Sequence, residues 1–204
     1  MSFAGLSFRD PTSGVPVVSG WGDPRPYRDG IHEGLDFACP VGTPIYAAEA
    51  GKVDTSANLA NDPAGETIVL NHGNVKTRYM HLSQRLVAKG HTVSKGQLIA
   101  YSGASGIKRS AAHLHFDLRI IATAVPEYLR VYGVPKPGPV KKGDGFYAVP
   151  SEALIPANYA PKVLTAAKTR GVSNYVAAMA VGGSALILVG LGLLGVFVYR
   201  RFRS

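Results

Sequence analysis

The stretch "HLHFDLRII", residues 113–121, alternates polar and apolar side chains as a half-buried β-strand does. Residues two apart in a strand face the same side, about 6.5–7 Å from each other. Leu114 and Phe116 therefore point into a core, and the histidines beside them share the opposite face. A single histidine in a strand is usually a packed side chain, but His113 and His115 on one face are suited to a shared task such as metal binding. The same spacing also arises by chance, so metal binding is predicted only if the chain contains a second cluster of suitable ligands.

The stretch "HEGLD", residues 32–36, supplies that second cluster. His32 and Asp36 stand four residues apart, across a glycine, just before an apolar strand. Imidazole and carboxylate groups are ligands that zinc accepts, and three protein ligands with one open position are typical of a catalytic site. The two stretches together predict a catalytic zinc site. The residues by themselves leave open whether one or both of His113 and His115 bind the metal.

The chain as far as residue 121 is predicted to be all-β. Short apolar runs such as "TPIYAAEAGKV", "ETIVLNHG", "KTRYMHL" and "HTVSKGQLIAYSG" are separated by Gly, Asn, Asp and Pro turns. No helical period extends beyond a few residues before position 160. Cys39 precedes a proline at the end of an apolar run, which predicts a buried thiol.

The order and spacing of these motifs carry a family resemblance. From residue 18 to residue 119 the chain contains "VSGWGDPRP", "IHEGLDFACPVGTPIYAAEAGKV", "ETIVLNHGNVKTRYMHLS", "VAKGHTVSKGQLIAYSGASG" and "AAHLHFDLR". This series resembles the lysostaphin-type (LytM-like) zinc endopeptidases, which cut peptide bonds in bacterial peptidoglycan. The resemblance implies a small antiparallel β-sheet or sandwich core whose groove holds an extended peptide of the wall.

The same resemblance implies roles for individual residues. It places zinc on His32, Asp36 and His115, and it places His113 and His81 beside the water that attacks the peptide. A neutral imidazole can take a proton from that water and return it to the leaving amine, while a second one stabilises the developing oxyanion. Tyr27 lies where such enzymes often have a loop tyrosine near the scissile bond. His72 and His91, in or next to turns, are predicted to have packing or surface roles.

The C-terminal segment is predicted to span a membrane. No charged residue occurs from Gly171 to Tyr199, and "RRFR" follows at once. About 20 residues of helix cross the hydrocarbon core of a bilayer, so this run is long enough for one transmembrane helix over residues 172–199. Ala178, Gly182 and Gly190 lie on a four-residue grid, which permits self-association of the span.

These observations predict five segments. They are an N-terminal segment (1–17), a lysostaphin-type peptidase domain (18–130), a Pro/Lys-rich linker and stalk (131–171), the transmembrane helix (172–199) and a basic tail (200–204). Residues 131–204 hold nine lysines and arginines against two acidic residues, whereas residues 1–130 hold 13 against 11. Because the positive charge belongs to the tail, nucleic acid is not the expected partner.

The predicted cellular location rests on the first 20 residues and on the apolar C-terminal run. Residues 1–20 have neither a cationic start nor a long apolar stretch, so no secretory signal is predicted there. An enzyme that reaches the wall inside a phage particle needs no such signal, and a lipid-bearing particle would account for the anchor. The prediction is therefore a single-pass protein of a virion membrane, with other virion membrane proteins as further partners. A bacterial inner-membrane wall hydrolase is the alternative.

Two other functions compete with that of a wall endopeptidase. A non-catalytic adaptor that binds peptidoglycan usually lacks zinc ligands, whereas every expected ligand is present here. A D-Ala-D-Ala dipeptidase or carboxypeptidase also uses His, Asp and His, but it needs a longer His-to-Asp spacing and a Glu three residues before a histidine. No such Glu occurs in the chain.

Overall fold

The computed structural model describes residues 3–25, 30–59, 62–106, 111–133, 135, 137–156, 174–181 and 184–191, the last two ranges as backbone. The chain separates into two compact units, residues 1–161 and 162–204. The strands of the first unit are β1 (Val17–Ser19), β2 (Leu35–Phe37), β3 (Pro44–Tyr46), β4 (Gly51–Leu59), β5 (Gly65–Asn71), β6 (Val75–Met80), β7 (Leu82–Arg85), β8 (Thr92–Val93), β9 (Leu98–Ser102), β10 (Leu114–Ile121), β11 (Val140–Lys141) and β12 (Phe146–Val149).

The described strands of the first unit form two antiparallel sheets. The larger sheet has the order β1-β2-β10-β6-β5-β4-β8, and the smaller one has the order β3-β9-β7. Strand β6 pairs along one edge of β10, while β2 and then β12 share its other edge. Strand β11 adds to β12. Strand β10 is thus the central strand from which the site is built, and the expectation of a mainly β core is confirmed.

The core lies against the apolar face of β10. Its side chains at positions 114, 116, 118 and 120 are all fully buried, as the alternation in the sequence predicts. The same buried cluster contains Ile45, Leu82 and Ile99 from the smaller sheet, so the two sheets share one core. Burial of each such side chain contributes about 1.5–3 kcal/mol to folding. The predicted burial of the Cys39 thiol is also confirmed, and burial raises its pKa to about 11.

A buried tyrosine ties the two sheets together. The phenol oxygen of Tyr79, on β6, accepts a hydrogen bond of 2.8 Å from the backbone N–H of Ala48, which follows β3. The hydroxyl of Thr77 also contacts it, at 3.2 Å. A buried polar atom without such partners would destabilise the fold, so these bonds allow a tyrosine to stand in the core. Burial raises the pKa of Tyr79 to about 12.

One α-helix interrupts the β pattern, where the sequence predicted none. It is α1 (Val125–Tyr132), preceded by a 3-10 turn (Ala122–Ala124), and a second 3-10 turn covers Ser151–Ala153. Pro126 in the first turn favours a helix start because the missing N–H has no intrahelical partner there. Only two turns long, the helix is too short for its period to stand out in the sequence. Its Tyr128 ring is buried against Phe3, with ring centroids 5.7 Å apart.

The compact unit is larger than the peptidase domain predicted over residues 18–130. Upstream, Phe3 and Phe8 are buried in its core. Downstream, β12 pairs with β10, and Val149, Leu154 and Ile155 are buried as well. The predicted N-terminal segment and most of the predicted linker therefore belong to the fold. The reason is that apolar residues within the proline- and lysine-rich stretch cover an edge and a face of the sheet that would otherwise meet water.

The second unit contains two antiparallel strands, β13 (Asn174–Val181) and β14 (Ser184–Leu191), in the segment predicted as one transmembrane helix over 172–199. The register pairs Val181 with Ser184, so a Gly-Gly pair separates the strands in the sequence. Glycine pairs favour two-residue hairpin connections, and valine and isoleucine favour strands, which weakens the helix that the apolar content suggested. Among the described residues, no helix has the length and apolar character needed to cross a bilayer.

The packing of the downstream segment predicts a stability difference between two shortened chains. A chain that ends at residue 130 lacks strand β12 and the buried Val149, Leu154 and Ile155. At about 1.5–3 kcal/mol for each buried side chain, its free energy of unfolding should be lower by about 5–9 kcal/mol than that of a chain ending at residue 161. Urea unfolding followed by circular dichroism measures the difference. Equal unfolding free energies would contradict the assignment of this segment to the core.

Candidate metal centre

The register of the central strands brings two of the predicted ligands together. His115 on β10 pairs directly with Asp36 on β2 and with Met80 on β6. Their neighbours along each strand point into the core, so these side chains share the opposite face of the sheet. Directly paired residues have Cβ atoms about 5 Å apart, close enough for an imidazole and a carboxylate to touch.

His32 reaches the same place from the loop before β2. Between His32 and Asp36 the chain passes directly over β10 at Gly34, where a Cβ atom would lie 2.5 Å from the carbonyl oxygen of Phe116 and 2.8 Å from His115 Nε2. A side chain cannot fit there, so the glycine of the "HEGLD" stretch is a steric requirement. It lets the first ligand lie against the other two.

Three donor atoms form a small triangle. His115 Nδ1 lies 2.9 Å from Asp36 Oδ1, His32 Nε2 lies 3.0 Å from the same oxygen, and the two nitrogens lie 3.0 Å apart. Four ligands about 2.1 Å from a zinc ion stand about 3.4 Å from one another, so the observed spacing is close to one face of such a tetrahedron. The chemical types and the spacing of these atoms fit a metal cation.

Each ligand is oriented by a group outside the triangle. His32 Nδ1 lies 2.8 Å from the carbonyl oxygen of Gly20, which can only accept, so Nδ1 carries the proton and Nε2 faces the triangle as an acceptor. His115 Nε2 lies 3.6 Å from Asp117 Oδ2. Arg25 Nη2 donates to Asp36 Oδ2 at 2.6 Å and leaves Oδ1 for the triangle. Such outer partners fix the orientation of metal ligands.

The charges of the triangle favour a cation at its centre. Burial opposes ionisation of Asp36, but hydrogen bonds with His115 and His32 outweigh it and hold the pKa of Asp36 well below its ordinary value. Burial lowers the pKa of His115, but the carboxylates of Asp117 and Asp36 outweigh burial and raise that pKa. The site therefore attracts either a proton on His115 or a metal ion, and the two compete.

Asp117 is a site residue that the sequence reasoning missed. It is 1% exposed and pairs across the strands with Arg78, whose Nε donates to its two oxygens at 3.0 and 2.7 Å. Burial would raise the pKa of Asp117, but the Arg78 guanidinium outweighs it and holds that pKa well below its ordinary value. The signal was available, because Asp117 continues the His113–His115 alternation by one more step. Arg25 had no comparable signal, since it lies in a loop.

The two further predicted histidines lie beside the triangle. Their rings have centroids 4.6 Å apart, and His113 Nε2 lies 3.7 Å from Asp36 Oδ1. His81 Nδ1 donates to the Ser105 carbonyl at 3.0 Å, and His113 Nδ1 donates to the Ala111 carbonyl at 2.9 Å. In the neutral ring each Nε2 is then a proton acceptor.

His81 is held in an uncommon backbone conformation. Its φ angle is 62°, in the left-handed region that residues other than glycine rarely adopt. Its N–H donates to the Ala64 carbonyl at 3.0 Å, which helps to fix this conformation. Burial, followed by the nearby His113 ring, lowers the pKa of His81 to about 4. The imidazole is therefore neutral near pH 7.

A cleft of about 510 Å³ opens over these residues. It is lined by His32, Asp36, His81, His113 and His115, together with the cationic side chains of Arg25, Arg78 and Lys142. The structure thus brings five of the six predicted site residues together, and the sixth, Tyr27, lies outside the described residues. His72 bonds to the Ala50 carbonyl and to Thr77, and His91 is exposed, in agreement with the packing and surface roles predicted for them.

Comparisons with known proteins agree with this geometry. The sequence profile described as Peptidase family M23 matches residues 30–126. The peptidoglycan DD-endopeptidase ShyA of Vibrio cholerae is 43% identical over 114 residues, which cover 50% of this chain and 26% of ShyA. Lysostaphin of Staphylococcus staphylolyticus is 41% identical over 96 residues, which cover 46% of this chain and 20% of lysostaphin.

Among solved structures, a zinc-containing peptidase from Vibrio cholerae is 36% identical, with a TM-score of 0.48, over 55% of this chain and 35% of that one. The chain thus spans about a quarter or less of the length of the curated relatives named above. The matched family covers both ligand stretches, and the resemblance to lysostaphin-type peptidases is confirmed. Residues 30–126 of this chain are a domain of peptidase family M23.

Proposed function

We propose that this chain is a zinc-dependent endopeptidase that hydrolyses peptide bonds in bacterial peptidoglycan. The observation that carries the proposal is the triangle of His32, Asp36 and His115 with two more imidazoles beside it in one open cleft. The choice of substrate is supported by the relatives, whose names include a peptidoglycan DD-endopeptidase and a glycyl-glycine endopeptidase.

The triangle would hold zinc through one carboxylate oxygen and two imidazole nitrogens, which leaves an open position toward the cleft. When bound, zinc polarises a peptide carbonyl and acidifies an attacking water molecule. The chain's part is to keep the ligands unprotonated and oriented, and to keep proton acceptors within reach. The Gly20 carbonyl accepts from His32 Nδ1 and Arg25 donates to Asp36 Oδ2, which orients both ligands and leaves His32 Nε2 and Asp36 Oδ1 free of protons.

His113 and His81 are suited to move the proton. Each ring is anchored at Nδ1 and presents Nε2 as an acceptor when neutral. His113 Nε2, 3.7 Å from Asp36 Oδ1, would take the proton of a water that attacks the peptide carbonyl and then return it to the leaving amine. His81, whose low pKa keeps it neutral near pH 7, would orient that water or hydrogen-bond the developing oxyanion.

A non-catalytic peptidoglycan-binding adaptor is the alternative function. It would need the cleft but no working metal site. The close fit of three donor atoms to a metal ion, with an outer partner for each, favours the enzyme, because an adaptor has no use for a built metal site.

We further propose that the segment after residue 161 attaches the chain to a membrane. The proposal rests on the uncharged run from Gly171 to Tyr199 and the basic residues that follow it. Single-pass topology, virion membrane proteins as partners and the virion membrane as location, with the bacterial inner membrane as its alternative, stay predictions.

The enzyme and the adaptor differ in what they do to purified peptidoglycan. Incubation with the full-length chain should release new amino ends, identified by mass spectrometry, and removal of zinc with a chelator should abolish the release. The scissile bond follows from which residues carry the new amino ends. Peptidoglycan that is bound without new amino ends would support the adaptor and contradict the proposed activity.

The two histidines of the "HLH" stretch should fail in different ways. His115→Ala should lose zinc and activity together, because one of three ligands is gone. His113→Ala should keep its zinc and lose about 10²–10⁴-fold in rate, the usual contribution of general acid–base catalysis. Zinc content and turnover of the purified variants measure both effects, and His91→Ala, an exposed histidine outside the cleft, is the matched control. A metal-free His113→Ala protein would make both histidines ligands.

Membrane attachment can be measured with lipid vesicles that contain an anionic phospholipid. The full-length chain should sediment with the vesicles, whereas a chain ending at residue 161 should stay in the supernatant because it lacks the uncharged run. If both chains stay in the supernatant, the proposed attachment is wrong.

A further inference from the structure

Residues 137–152, which lie beyond the family match, pack against the loop that contains Gly20 and Trp21 and precedes the metal ligand His32. The match ends at residue 126, whereas Glu152 Oε1 accepts a hydrogen bond of 2.5 Å from the backbone N–H of Trp21. The indole N–H of Trp21 donates to the Pro137 carbonyl at 2.9 Å. A Cβ atom at Gly20 would lie 2.7 Å from Glu152 Oε1, so the carboxylate closely covers this part of the loop.

The same loop holds His32 by three hydrogen bonds. The Gly20 carbonyl accepts from His32 Nδ1 at 2.8 Å. The Gly22 N–H donates to the His32 carbonyl at 2.8 Å, and the His32 N–H donates to the Asp23 carbonyl at 2.9 Å. The position of the loop therefore sets both the backbone and the imidazole of this ligand. Glu152 contacts this loop at Gly20 and Trp21.

Other parts of the same segment contact the residue after His32 and the strand that carries His115. Lys142 forms an ion pair with Glu33, the residue after His32. Strand β12 pairs with β10 from Leu118 onward, three residues beyond the ligand His115. The segment thus contacts the chain on two sides of the triangle.

The partly buried position of the Glu152 carboxylate is difficult to explain by stability. Among the described residues, its Oε2 atom is buried without a hydrogen-bond partner. A buried carboxylate oxygen without a partner is costly, so an apolar side chain would serve packing better. A carboxylate is nevertheless useful at this position because its Oε1 atom accepts the hydrogen bond from the Trp21 N–H.

We propose that Glu152 is a positioning residue of the metal centre, and that residues 137–152 complete the site by fixing the loop that orients His32. This inference rests on the proposed function, since it concerns the affinity of the same triangle for zinc. Outer-layer partners of metal ligands contribute about 10–100-fold to metal affinity.

The test compares carboxylate removal at two places in this segment of the full-length chain. Glu152→Ala should weaken zinc binding about tenfold and change the visible spectrum of the cobalt-substituted protein. Glu152→Gln should restore both, because its amide oxygen can accept the Trp21 N–H. Asp144→Ala is the matched control, since the ion pairs of Asp144 within the described part of the chain are with Lys76 and Arg119, away from the loop. Zinc affinity is measured by competition with a chromophoric chelator.

Trp21→Phe keeps the proposal testable if Glu152→Ala fails to fold, because it removes only the indole hydrogen bond to Pro137 and should weaken zinc binding several-fold. Unchanged zinc affinity in the folded variants would overturn the proposal, and so would an equal loss of affinity in Asp144→Ala. A wild-type chain that binds no zinc would instead overturn the proposed function, so the two failures are distinguishable.

Discussion

The antiparallel pairing of β10 with β2, which places His115 opposite Asp36, is the constraint on which the site depends. Side chains alternate between the two faces of a strand, so a slip of β10 by one residue would turn His115 into the core and expose Leu114 and Phe116. The apolar face of β10 opposes such a slip with four fully buried side chains. Packing of apolar side chains on one face of the sheet thereby holds the ligands in register on the other face.

The close contact of polar groups on that second face has an electrostatic consequence. Asp36 stays ionised because His32 and His115 surround it, and the proton that His115 attracts stands where a metal ion would bind. Metal binding to this centre must therefore release protons and strengthen as the pH rises through the range in which His115 loses its proton. The same charges that would hold a metal ion make the triangle a polar site among largely buried residues.

Around the ligands lies an outer layer of charged groups from distant parts of the chain. Arg25 binds the free oxygen of Asp36, Arg78 neutralises Asp117 behind His115, and Glu152 holds the loop behind His32. Each of them contacts a ligand or the groups next to one, and none belongs to the two motifs that predict the site. The segment after residue 126 contributes one of these groups, which makes it more than a linker between the domain and the C-terminus.

The sequence by itself determined the β character of the core, the two ligand stretches and the family, because alternation and short spacings are local properties of the chain. It gave no measure of contacts between distant residues. Trp21 and Glu152 are separated by 131 positions, and Arg78 and Asp117 by 39, so only the tertiary structure could pair them. For the same reason the end of the compact unit and the hairpin at β13 and β14 departed from expectation. Composition records how apolar a segment is, whereas the surfaces it covers and the strand it pairs with depend on the folded arrangement.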